Sequence, residues 1–188
     1  MLRRSTGPSV IAHPVTRPHF LNLYATLSPP EHTPVNTLNE DHKSNQRILR
    51  SGERAEHYFA EGYCCSEAIL LAMADIYPNS AKTEIAGLAS GLCGGMGNKK
   101  ATCGVFTGGA AAFGLVAGKA PQKGGNRQIR ELASRYHEIL EQEAGGQICE
   151  EILKQMGIGN LNKRQCKKLT RRGSELLVQL IEQSKLET

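Results

Sequence analysis

The chain predicts an all-α fold, a compact bundle of about six or seven helices around a Gly/Ala-rich central helix, and three observations carry that reading. Beyond residue 45 apolar side chains recur at helical spacing, segment after segment. No segment alternates convincingly as a strand. The stretch 101–118 contains no charge and is dominated by small residues. A length of 188 residues suits one domain. With 39% hydrophobic residues, 20 Gly and no Trp, the core must be aliphatic and small, so its helices must approach closely.

Residues 1–44 differ in kind from the rest. Six of the eight Pro and four of the six His fall there, but only Gly7 of the Gly and no Cys. No apolar period survives, so the segment buries too little to offset the entropy of ordering it and is expected to be a disordered tail. Pro14, Arg17 and Pro18 interrupt the residues after Arg3 and Arg4, so no export signal is expected and the cytoplasm is the expected compartment. The Arg-bearing, acid-poor composition up to Glu40 is loosely that of a transit peptide; a wrongly assigned upstream start fits it equally well. The helical domain is expected over 45–188.

Its first helix is expected over 45–61, with Ile48, Leu49, Ala55, Tyr58 and Phe59 on one face and Gly62 as its stop. A second runs from Ser66 to Ile76 and ends before Pro78. Ser80 can cap a third, in which Ile85, Leu88, Ala89 and Leu92 share a face until the glycines of CGGMG break it. The uncharged stretch 101–118 has the length of a marginal membrane span, but Gly104, Gly108, Gly109, Gly114 and Gly118 leave it too polar. It predicts a buried helix whose small residues let neighbours approach. Asn126 caps a fifth helix with the stripe Ile129, Leu132, Ala133, Tyr136, Ile139 and Leu140, ended by Gly145 and Gly146. Ile148, Cys149, Ile152, Leu153 and Met156 make a short sixth, stopped by Gly157 and Gly159. The last starts near Asn162 and places Cys166, Leu169, Leu176, Leu177 and Leu180 on one side.

A net charge of +5 is too mild to mark a dedicated nucleic-acid binder. The informative residues are the six Cys, at 64, 65, 93, 103, 149 and 166. No C-x-x-C occurs, so the local signatures of zinc ribbons, dithiol enzymes, c-type haem and bacterial ferredoxins are all missing. If these thiols act together, the fold must gather them. Cys65 and Cys103 stand at expected helix starts, where unpaired N–H groups and the helix dipole favour a thiolate, with Lys99 and Lys100 just before Cys103. Cys166 lies within NKRQCKKLTRR, whose cations are expected to lower its pKa. Against this, a free Cys is most often a small buried hydrophobe, a reading that suits Cys149 and Cys93. A vicinal Cys64–Cys65 disulfide would be strained, so one of that pair is expected to be a bystander. The basic run 163–172 is by default a solvated face, with an acidic-partner site as the sharper alternative. His57 and His137 are by default surface or packed imidazoles, though either could complete a three-Cys metal site.

Taken together, YCCSEAILLA, LASGLCGGMG, TCGVFTGGAAAFGL, GQICEEIL and a Cys in the final helix resemble the redox-active protein family named for its C, CGAxxG, C, C pattern. The resemblance runs from about Ile48 to Leu180. It places the family's four cysteines on Cys65, Cys103, Cys149 and Cys166, which displaces the packing role for Cys149. Val105 stands where the family usually has Ala, and Cys64 and Cys93 lie outside the pattern as spare thiols. The resemblance implies a thiol-redox or electron-transfer role in a helical domain, with bound iron and sulfide as one form of it.

The leading expectation is therefore that Cys65, Cys103, Cys149 and Cys166 converge as ligands of an iron–sulfur centre that carries electrons. The alternative is a metal-free thiol–disulfide oxidoreductase in which Cys65 or Cys103 attacks and a neighbouring thiol resolves. A structural zinc site in an interaction module is the third reading. The partner would be a redox protein or a small thiol or disulfide, and the small-residue helices are compatible with a homodimer.

Overall fold

The protein is described here from a computed structural model. It divides into two units, Met1–Thr33 and Pro34–Thr188. The described residues are 35–77, 83–118, 123–184 and 186, all in the second unit. Residues 1–34 of the expected tail lie outside them, as does Ser80, the expected cap of the third helix.

Helix α1 spans Val35–Ala60 and so begins about ten residues before the expected start. Residues 39–43 in that extension are exposed, and Leu49, expected on the apolar face, is 55% exposed. Further along, Ala55 is buried and Ser51 lies against Ser174 of the last helix. Helix α2, Cys65–Ile76, is buried along most of its length, from Ser66 through Ala74. Its first turn is capped by the Glu67 carboxylate, which accepts the Cys64 N–H at 3.0 Å.

The expected third helix is shorter than its apolar spacing suggested. Helix α3 covers only Thr83–Leu88, and a 3₁₀ turn over Ser90–Leu92 follows. Leu88 is 81% exposed, whereas Ala89 is buried and Leu92 packs against the core, so the anticipated stripe forms only in part. The glycines then break the chain as expected: Gly94, Gly95, Met96, Gly97 and Lys99 all have positive φ.

Helix α4, Gly104–Ala117, is the Gly/Ala-rich centre of the bundle and packs on α2 and on two later helices, α5 (Arg127–Ala144) and α7 (Arg164–Ser184). Small residues are required at these contacts: a Cβ on Gly108 would lie 2.6 Å from the Ser66 Cα, and one on Gly109 would enter the Tyr136 ring. Ala111 and Gly114 face solvent, so the burial is one-sided. Helix α5 starts where Asn126 predicts, its Oδ1 accepting the Ile129 N–H at 3.2 Å, and ends at Gly145 with φ 73°. Helix α6, Cys149–Met156, stops at Gly157.

The last helix starts two residues later than expected because Asn162 and Lys163 are left-handed, φ 55° and 58°. Asn160 caps this helix, its Oδ1 accepting the N–H groups of Gln165 at 3.0 Å and Cys166 at 3.1 Å. Helix α7 packs on α1 through two buried serines that reach each other's backbone: Ser51 Oγ donates to Ser174 O at 3.2 Å, and Ser174 Oγ to Ser51 O at 3.0 Å. The basic run does not simply face water. Lys167 and Arg171 both pair with Glu56 of α1, at 3.2 and 3.0 Å, and Arg172 grips Glu143 of α5. Such half-exposed pairs stabilise little and mainly set register. No strand occurs among the described residues, and none of their helices is long and apolar enough to cross a membrane.

Candidate functional site: a four-cysteine cavity

Cys65, Cys103, Cys149 and Cys166 belong to four different helices, and all four stand at a helix start. Cys65 is the first residue of α2, Cys103 the N-cap of α4, Cys149 the first residue of α6, and Cys166 lies in the first turn of α7. All four line one cavity of about 350 Å³, with Phe59, Val105, Ile152, Leu153 and Leu169 as apolar walls and Lys99 and Lys163 as cations. Four helix N-termini thus end at one sulfur-lined space, each bringing the positive end of its dipole.

Two backbone contacts hold the middle of this arrangement. Thr102 and Ile148 form an isolated antiparallel bridge. Beside it, the Cys103 N–H donates to Gln147 O at 2.8 Å and the Cys149 N–H to Ala101 O at 3.0 Å. This single bridge sets the start of α4 against the start of α6. A one-pair bridge has no alternation, so the sequence carries no signal for it. Glycine supplies the remaining clearance: a Cβ on Gly104 would sit 2.5 Å from the Cys65 Sγ, and one on Gly95 2.8 Å from the Cys149 Cβ.

The sulfurs are electrostatically unlike. Cys103, 8% exposed, keeps its proton: its hydrogen bonds to Cys149 and Cys65, together with burial, push its pKa far up. The hydrogen bond from Cys103 pulls Cys65 down to about 6 against the opposing effect of burial, helped by the N–H groups of Gly94 and Ser66. Cys149 falls to about 7, again first through Cys103. Burial raises Cys166, although Asn160 Nδ2 donates to its Sγ at 3.3 Å and Lys163 is near. Two expectations need correction here. Cys103 and Cys166 are raised rather than lowered, because a shared proton and burial outweigh a helix start or a basic neighbourhood.

Cys64 and Cys93 are not spare thiols; they are joined as a disulfide, with Cα atoms 5.8 Å apart. The vicinal pair with Cys65 does not form, and Cys65 is a free thiol. The ligand atoms of Cys64, Glu67 and Cys93 lie within 4.8 Å of one another, a spacing compatible with a metal ion when the sulfurs are reduced. His137 packs edge-on against Phe106 and bonds Gln147 at 3.0 Å, while His57 pairs with Glu61 at 3.2 Å; neither lines the cavity.

Comparison with known families gives a match over residues 63–180 to the model described as "Putative redox-active protein (C_GCAxxG_C_C)". No curated protein and no solved structure matches.

Proposed function

The chain belongs to the C_GCAxxG_C_C redox-active family, and from that premise we propose that Cys65, Cys103, Cys149 and Cys166 are thiolate ligands of an iron–sulfur centre that carries electrons. The observation that supports this most is the meeting of four helix starts, each bearing a cysteine, on one cavity. Four thiolates are the ordinary ligand set of such a centre, whose charge with its ligands is negative. The donor set and surroundings fit: helix N-termini, the Gly94 and Ser66 N–H groups at Cys65, and the Lys99 and Lys163 side chains all favour anionic sulfur. Gly104 and Gly95 keep Cβ atoms out of the space the sulfurs need. When bound, the group supplies one-electron chemistry. The chain's own part is to hold four sulfurs in place, to wall them from water with Phe59, Ile152, Leu153 and Leu169, and to tune them through Asn160 and the backbone donors. Its partner in this reading is a redox protein or a small thiol, and its compartment the cytoplasm.

Protein purified without oxygen is expected to be brown and to contain iron and acid-labile sulfide, both lost from Cys149→Ser. A colourless chain with one zinc ion makes the site structural.

A second reading is favoured by the hydrogen bonds that link Cys103 to Cys65 and Cys149 on one cavity. In a metal-free chain the Cys65 thiolate is placed to attack a disulfide, with Cys103 or Cys149 resolving the mixed intermediate. Absence of both metals, with thiols that titrate against a mild reductant, supports it.

A further inference from the structure

The disulfide Cys64–Cys93 lies outside the four-cysteine set, yet touches its cavity. Cys64 precedes Cys65 and is itself one of the residues that line the cavity. Cys93 precedes Gly94, whose N–H donates to the Cys65 sulfur and which lines the same wall with Lys99. The bond therefore ties the start of α2 to the irregular segment 94–99, in which Gly94, Gly95, Met96, Gly97 and Lys99 have positive φ and Met96 is 56% exposed. Beyond Gly94 and Gly95, which pack on Cys65 and Cys149, such a segment has little regular structure to hold it in place without the tether.

The surroundings of the pair suit a reduced state as well as an oxidised one. Ser66 Oγ donates to Ala89 O at 2.9 Å and turns its oxygen towards both sulfurs, 2.9 Å from Cys93 Sγ and 3.5 Å from Cys64 Sγ. That oxygen, and Ala89 O at 3.7 Å, are ready acceptors for a Cys93 thiol proton. Both half-cystines are only partly buried, so a small reagent can reach them.

We propose that Cys64 and Cys93 are a second redox site, a reversible dithiol–disulfide couple that exchanges with a small disulfide or dithiol and, when oxidised, fastens segment 94–99 over the four-cysteine cavity. Oxidation begins when one cysteine thiolate attacks the small disulfide, breaks its S–S bond, and releases one thiolate while forming a mixed disulfide. The second cysteine then breaks that bond, forming Cys64–Cys93 and releasing the other thiolate. The two protons given up by the cysteines end on the two released thiols, and the small disulfide takes the two electrons. This goes beyond the proposed cluster and does not depend on it.

The test equilibrates the full-length protein with mixtures of reduced and oxidised dithiothreitol, followed by acid quenching, alkylation and peptide mass spectrometry. A Cys64–Cys93 cross-linked peptide is expected to appear in a single two-electron step while Cys65, Cys103, Cys149 and Cys166 stay unlinked. Hydrogen exchange at amides 94–100 is expected to be at least tenfold slower in the oxidised protein. Cys93→Ser and Cys64→Ser, each verified as helical by circular dichroism, should show the faster exchange in every mixture. The proposal is overturned if the pair stays in one state throughout, links to Cys65, takes up a zinc ion in preference to oxidation, or leaves exchange at 94–100 unchanged. Iron and sulfide assayed in the same samples report on the cluster separately, and a couple that titrates in iron-free protein upholds this site while removing the other.

Discussion

Cys103 and Cys149 stand side by side because their backbones are bonded across, the Cys103 N–H to Gln147 O and the Cys149 N–H to Ala101 O. Backbone pairing fixes where both side chains start, before any metal or side-chain contact is considered. The sulfur site is thus a product of how two helix starts are laid against each other.

Gly104 tests how tightly that arrangement is packed. Gly104→Ala puts a methyl group 2.5 Å from the Cys65 Sγ, and the helical geometry of α4 gives it no other place to go. We expect a loss of about 1–3 kcal/mol in chemical denaturation and disappearance of the low-pKa thiol from alkylation profiles. Unchanged stability and an unchanged profile would show the space to be slack.

For the reduced, metal-free chain, the rate of Cys65 alkylation by iodoacetamide should rise through a midpoint at about pH 6, below the ordinary thiol range. Cys103→Ala, which removes the largest cause, should return the midpoint towards that range. The sign for stability follows: folded Cys65 binds fewer protons than unfolded Cys65 between about pH 6 and the ordinary range. The wild type should therefore gain on Cys65→Ser as pH rises across that window, and lose the gain as pH falls through about 6. Cys103, held protonated, acts oppositely and costs stability above the ordinary range. Thermal melts of both proteins across pH check this.

Tyr136 is fully buried, and its O–H donates to Val105 O at 3.1 Å, next to the cysteine-bearing turn of α4. Tyr136→Phe leaves that carbonyl without its buried donor and is expected to cost about 1–2 kcal/mol. Iron content should survive, because the ring still packs on Gly109.

Deleting residues 1–33 should leave helicity and the iron, sulfide and thiol analyses unchanged, since every element that lines the cavity lies beyond them. A cut at residue 44 instead removes the first turns of α1.

Sequence reading reached the helices whose apolar stripe meets the core. Leu132, Tyr136 and Leu140 are buried on α5, and Leu176, Leu177 and Leu180 on α7, where periodicity placed them. The Gly-rich α4 was readable because its small residues have no other use. The start of α1 was not, because VNTLNEDHKS carries no stripe and residues 39–43 face solvent. Leu88 misled because spacing cannot tell a helix from a kinked turn of the same apolar content. Of the four cavity cysteines, Cys65 and Cys103 stood out by their places at expected helix starts. Cys149 was legible only through family resemblance, because it falls in the apolar stripe Ile148, Ile152, Leu153 and Met156 and so reads as a packing residue. The Cys64–Cys93 bond joins positions 29 apart and depends on where α2 and the 93–99 segment meet, which no local pattern records. That Asn160 caps the last helix depends on the left-handed turn at Asn162 and Lys163, which no local pattern records.

Cys166 stands on the last helix, more than a hundred positions after Cys65. A ribosome must therefore add about a hundred residues after Cys65 before the fourth sulfur exists to join the others. Until then the growing polypeptide exposes unshielded thiols, and a prematurely released product would lack the complete set. The full set of four sulfurs is therefore available to any reductant or ligand only after Cys166 has been added.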